Sequence, residues 1–348
     1  MTGGILTAVI FALTLALGCQ DLGTTTSTNN NNNNNDNDNN DNDNNNKIRA
    51  WRQVTADAGF TPRTAHAAVG LNNDLFIIGG HLGGSATDEV WRSSDKGLTW
   101  ASVASGARFS AAPKIPALAL NGSIFVIGSG NGLNAKNTVW ESSDRGVTWT
   151  SVATGTVSSR FTARGSHAAV VLNNKIFVIG GRLASNDAEN NEVWKSADEG
   201  LTWMEVTSTG TKFTGRYNHA AVVLNSDIFV IGGETGSSSF SDEVWKSADE
   251  GLTWTEVTST GTKFTSRYNH AALVLNNDIF VIGGETGSSS FSDEVWKSSD
   301  EGLTWTEINT TGTKFTARRN HAVAVLNGDM FLIGGFDGAR KSDVWAYD

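Results

Sequence analysis

Arg216–Gly233 reads RYNHAAVVLNSDIFVIGG, and Arg267–Gly284 repeats it with two of eighteen positions changed. The segment holds an apolar run (Ala220 to Leu224), two turn residues (Asn225 and Ser226), and a second apolar run closed by glycines (Ile228 to Gly233). Runs this short, joined by an Asn-containing two-residue turn, predict a tight β-hairpin. Two further runs follow before the motif returns, Glu243 to Lys246 around Trp245 and Thr253 to Val257 around Trp254. One unit is therefore four short strands.

Working outward, His66, Ile115, His167, His219, His270 and His321 hold equivalent slots, spaced 49, 52, 52, 51 and 51 residues apart. Such a period marks an array of units that cover their apolar faces with one another. Five units carry a tryptophan pair: 91 and 100, 140 and 149, 194 and 203, 245 and 254, 296 and 305. The sixth stops at Asp348 just after Trp345, so its fourth strand is missing, while Trp51 to Val54 stands as a surplus fourth strand before the first unit. Pairing the two accounts for all 12 tryptophans and leaves no open edge at the seam. The expected fold is all-β, a six-bladed β-propeller of four-stranded blades closed by the N-terminal strand.

Composition agrees. The 348 residues include 38 Gly and 12 Trp against 3 Pro and 3 Met, a balance that suits turns and strands better than helix interiors. The net charge of -10 argues against nucleic acid as a partner, since phosphate binding draws on clustered Lys and Arg. A single Cys excludes an internal disulfide framework and a Cys-type zinc site.

Ile5 to Leu17 is an uncharged, mostly apolar stretch of 13 residues, shorter than the roughly 20 a helix needs to span a bilayer. It reads as a signal-peptide core. The one Cys, Cys19, follows directly after Leu15, Ala16, Leu17 and Gly18. This arrangement resembles a bacterial lipoprotein signal, which implies lipid on Cys19; an ordinary secretory signal is the alternative. Residues 29 to 46 are 14 Asn and 4 Asp without interruption, a composition that buries no apolar surface and reads as a solvated tether. The expected organisation is a signal over 1–18, a lipidated Cys and disordered tether over 19–47, and the propeller over 48–348.

The double glycines closing the second strand (Gly79 and Gly80, Gly180 and Gly181, Gly232 and Gly233, Gly283 and Gly284, Gly334 and Gly335), with Val-Trp in the third, resemble the kelch repeat. The strongest single match is DVWAYD, Asp343 to Asp348. Five units also carry SSDKGLTW from Ser93, SSDRGVTW from Ser142, SADEGLTW from Ser196 and Ser247, and SSDEGLTW from Ser298. These look like the Asp box, or BNR repeat, of sialidases and other propellers, which marks a fold feature and not an activity. Locally, Asp accepts hydrogen bonds from turn amides and Gly permits positive φ.

Strand direction sorts the loops into two faces. If the first strand runs down from the His, the Asn turns and Ser-x-Asp turns lie on the bottom. The loops after the double glycines, and those from strand four into the next blade, lie on top. The latter repeat Phe, x, x, Arg, x, x, His in five units, with Arg63, Arg164, Arg216, Arg267 and Arg318, whereas the second has Phe109, Ala112 and Ile115. Five arginines expected near the axis form a candidate site for a carboxylate, with Glu234 and Glu285 beside them. In the alternative, each Arg pairs with an acid such as Glu234 or Glu285 and locks the blades. The histidines, one per blade in five blades, are expected to hydrogen-bond a neighbouring backbone rather than bind metal.

The leading functional expectation is a non-enzymatic binding module, a monomer anchored in a bacterial cell envelope through Cys19, with a protein or anionic glycan on its top face and no cofactor or metal. The kelch resemblance also implies an enzyme alternative, sialic-acid handling like that of N-acetylneuraminate epimerase or a sialidase. A galactose-oxidase-type copper site is excluded, because the Cys it would need lies in the signal.

Overall fold

The computed structural model describes residues 49–104, 109, 111–130, 134–152, 160–236, 239–287, 290–309 and 312–348. The signal, Cys19 and the tether through Lys47 lie outside the described residues. Six four-stranded antiparallel sheets form the blades of a propeller. Blade 4 shows the pattern: Ala220–Leu224, Asp227–Ile231, Val244–Ser247 and Thr255–Glu256, in that order from first strand to fourth. Blades 1, 2, 3 and 5 start at Ala67–Leu71, Ala117–Leu120, Ala168–Leu172 and Ala271–Leu275.

Blade 6 takes Ala322–Leu326, Asp329–Phe336 and Arg340–Tyr347 from the end of the chain and Trp51–Thr55 from its beginning. Trp51 pairs with Tyr347, Arg52 with Ala346 and Gln53 with Trp345 in antiparallel register. The closure expected from the tryptophan count is thus the one observed.

The Asn-rich turns work because Asn tolerates a left-handed backbone better than other non-glycine residues. Asn225 and Ser226 sit at φ of 52° and 70°, as a two-residue turn of the I′ type requires. Both faces of each blade are covered by neighbours, so the second strands are buried along their length; Ile228, Phe229, Val230 and Ile231 are each 0% exposed. Among the described residues the core is six apolar clusters, each drawn from two adjacent blades. The cluster of Ile279, Val281 and Trp305 from blade 5 with Val222, Phe229 and Ile231 from blade 4 is one.

On the bottom face, the five Ser-x-Asp-x-Gly turns share one bonding pattern. In blade 4 the Ser247 hydroxyl donates to Asp249 at 2.9 Å and accepts the Gly251 amide at 2.8 Å, while Asp249 accepts the Thr253 amide and hydroxyl at 2.8 and 2.6 Å. The Trp254 indole closes the turn on Gly251 O at 3.0 Å. Trp51 follows no such turn, and its indole N–H has no partner. Its ring meets Phe315 edge-on at 4.9 Å, as Trp254 meets Phe213 at 5.0 Å.

Trp51 is 5% exposed and belongs to the blade 5–6 cluster. Trp51→Ala is expected to cost ~3 to 5 kcal/mol and to lower the thermal midpoint by several degrees. An unchanged midpoint would contradict its place in the core.

Candidate functional site

The five motif arginines are 0 to 1% exposed, so they do not line the mouth as the carboxylate reading required. Each is spent inside its own blade. Arg216 donates from Nε to Thr214 O at 3.2 Å and from Nη1 to Gly232 O at 2.9 Å, and its Nη2 binds Glu243. Arg63, Arg164 and Arg267 bind Glu89, Glu192 and Glu294 in the same way. Arg318 grips both oxygens of Asp343, at 2.7 and 2.9 Å. The partners are therefore the acids immediately before the Val-Trp pair of the third strand, and not Glu234 or Glu285.

Each such carboxylate also accepts the indole N–H of the Trp two residues on, as Glu243 does from Trp245 at 2.9 Å. Burial by itself would raise these carboxyls, but hydrogen bonds from Arg and Trp outweigh it and hold Glu89, Glu192, Glu243 and Glu294 below the usual range. Blade 2 supplies an internal control: Ala112 replaces the Arg and Thr138 the acid, and the Trp140 N–H is left without a partner.

The histidine rings sit between adjacent blades, against the first glycine of the preceding one. His167 Nε2 lies 3.1 Å from Ile127 O of the preceding blade. The double glycines make room for these rings: a Cβ on Gly232 would come within 2.8 Å of His270 Cε1, and one on Gly233 within 2.6 Å of His219 Cβ. Burial first, and the charge of the nearby Arg second, push His66, His167, His270 and His321 down to about 3. Among the described residues, no three His, Cys, Asp or Glu side chains converge as metal ligands.

The mouth itself is built from positions that the motif leaves variable. Ala65, Lys114, Ser166, Asn218, Asn269 and Asn320 precede the His slot in their blades, all at φ between 53° and 59°. Their backbones join around the axis: Asn269 N–H to Asn218 O at 3.0 Å, Asn320 to Asn269 at 3.0 Å, Ala65 to Asn320 at 2.8 Å and Lys114 to Ala65 at 2.7 Å. Below them is an alanine-rich axial cavity of about 270 Å³. Lys114 reaches from blade 2 to Asn218 Oδ1 at 2.6 Å. Burial, with help from Arg319 and Arg182 against Glu234 and Glu285, pushes its pKa down to about 8.

Around this ring, Glu234 and Glu285 do come to the mouth. Glu234 accepts the Tyr217 hydroxyl, and Glu285 the Tyr268 hydroxyl. Burial and these carboxylates raise both phenols above their ordinary pKa. Arg319 ion-pairs with Glu285, and Arg182 lies 4.7 Å over the Tyr217 ring. Sequence reasoning missed Lys114, Arg182 and Arg319. The one available signal was the break in the second unit, which places Lys114 where other units have Asn, Ser or Ala.

Fold, double glycine and acid-Val-Trp strand together define a kelch-type β-propeller whose free chemistry sits at one face. The chain belongs to the KLHDC2/KLHL20/DRC7 Kelch-repeats domain family, whose profile matches residues 28–181 and 166–348. It is 26% identical to Kelch domain-containing protein 3 of Rattus norvegicus over 199 residues, 53% of this chain and 51% of that protein. Over 137 residues it is 28% identical to the leucine-zipper-like transcriptional regulator 1 homolog of Drosophila melanogaster, covering 37% and 14% of the two chains. Against tip elongation aberrant protein 1 of Schizosaccharomyces pombe, identity is 24% over 203 residues, 55% and 17%. The chain spans about half or less of the length of these relatives.

A pH dependence follows from the histidines. They are neutral in the fold and protonate below about pH 6.5 once unfolded, so the unfolded state binds more protons and stability falls as pH drops from 6.5 toward 3. At pH 5 each contributes a loss of about 2 kcal/mol. His270→Ile, the residue that blade 2 has in this slot, is expected to flatten that slope in denaturant melts at pH 7.5 and 5. An equally steep slope in the variant would refute the assignment.

Proposed function

We propose that the protein is a binding module that holds a protein partner over its top face. One observation carries this reading. Buried positions repeat from blade to blade, whereas the residue after the double glycine changes around the rim: His81 in blade 1, Arg182 in blade 3, Glu234 and Glu285 in blades 4 and 5, and Phe336 in blade 6. Half-buried charges of both signs and a rim of Phe240, Phe291 and Phe336 suit a polypeptide surface, with aromatic anchors and polar contacts. Kelch propellers in general mediate protein–protein interactions, which supports the reading. A glycan partner is the other reading of the same face. The sialic-acid enzyme is disfavoured because the five arginines that would hold the sugar carboxylate are buried and paired with acids of their own blades.

Photo-crosslinkers placed at Arg182 and at Asn225 sample the two faces. Partner peptides are expected from the crosslinker at Arg182 and none from the one at Asn225. Capture from Asn225 and not from Arg182 would move the site to the bottom face. Binding on a glycan array with no protein captured would replace the protein reading.

The module is also proposed to be an envelope lipoprotein, exported and held by lipid on Cys19. Two anchoring signals generally suffice for stable membrane attachment, and acylation of both the thiol and the new amino terminus supplies them. Mass spectrometry of the mature terminus from a bacterial host should find acylated Cys19, with Cys19→Ser left unprocessed. An unmodified terminus beyond Cys19 would make the protein a soluble secreted one.

A further inference from the structure

The seams between blades 4 and 5 and between blades 5 and 6 are copies of one design that differ at one slot. At the blade 5–6 seam, Glu285 accepts the Tyr268 hydroxyl and is ion-paired with Arg319. The Arg319 guanidinium lies 5.1 Å from the centre of the Phe291 ring and 5.5 Å from that of Phe336. At the blade 4–5 seam, Glu234 stands in the place of Glu285 and accepts the Tyr217 hydroxyl, and Phe240 stands in the place of Phe291. Tyr268 occupies the Arg319 slot, its ring stacked on Phe240 at 4.4 Å and 18°.

Glu234 therefore has the hydroxyl donor of its twin but not the guanidinium. None of the ion pairs among the described residues reaches it. Lys114 is close enough for its charge to be felt, but its Nζ is bonded to Asn218. Glu234 is half-buried beside a stacked aromatic pair.

We propose that the blade 4–5 seam is a cation site that takes a guanidinium side chain of the partner, held by the Glu234 carboxylate alongside Phe240 and Tyr268. This deepens the top-face reading and rests on it. The chemistry is that of the neighbouring seam, where the chain supplies its own Arg. A planar guanidinium matches a carboxylate through paired N–H donors and stacks on an aromatic face, and its weaker hydration favours Arg over Lys in a half-buried site. The net charge of -10 also draws basic partners to the surface.

The test uses the purified protein and the capped pentapeptide Gly-Ser-Arg-Ser-Gly, alongside its twin with citrulline, the uncharged counterpart of Arg. Saturation-transfer NMR at about 150 mM salt, where long-range attraction is screened, reads weak binding of both. The Arg peptide should bind at least about tenfold more tightly than the citrulline peptide. Glu234→Gln should remove that preference. Tyr268→Arg places in this seam the side chain that Arg319 places in the next, so it should block the peptide in a protein that still melts cooperatively. Equal binding of the two peptides, no binding of either, or an Arg preference that survives Glu234→Gln would each overturn the site. A partner that crosslinks over the top face yet ignores Glu234→Gln would overturn this site alone and leave the top-face reading standing.

Discussion

Both faces of every blade in this protein are apolar, so no blade is stable until a neighbour covers each side. A row of such sheets has an unsatisfied face at either end, and closing the row removes both. Six seams, each with its own apolar cluster, result from that constraint. Closure also requires a complete sixth sheet, which is why Trp51–Thr55 crosses from the beginning of the chain to pair with Arg340–Tyr347.

Close packing of sheets on sheets leaves polar groups inside, and the chain handles them with two repeated devices. In five of the six blades a buried Arg, an acid and an indole form one bonded unit at the top, and a neutral imidazole fits against the first glycine of the preceding blade. A buried charge without its partner is costly, which gives a physical reason for Arg and acid to be absent together from blade 2, where Ala112 and Thr138 stand in their places. With the arginines consumed in this way, the mouth is left to side chains outside the motif.

Near-identical blades raise a problem of order, since any unit's apolar face fits any other's. The bottom face discriminates. In the Ser-x-Asp-x-Gly turns, Lys96 and Arg145 meet Asp329 and Asp74 of the preceding blades, while Glu250 meets Lys175 and Lys195, and Glu301 meets Lys246. Such exposed pairs are each worth only about 0.2 to 1 kcal/mol. Their value is that a wrong neighbour would set like charges against each other.

Periodicity in the sequence reports whatever every blade must do, and those features are legible in the residues alone. Four strands per unit, the Asn turns, the fourth-strand role of Trp51 and the one histidine per blade in five blades all recur at the same offset, so one copy confirms another. The pairing of Arg216 with Glu243, 27 residues away, is not legible there, because several acids lie within reach and only the antiparallel third strand selects one. The mouth is still less so. Lys114 and Asn218 are 104 residues apart and share no motif; the curvature of the ring brings them to 2.6 Å. Local spacing and turn chemistry determined the blade, whereas the site depends on how six blades converge on one axis, which tertiary packing alone decided.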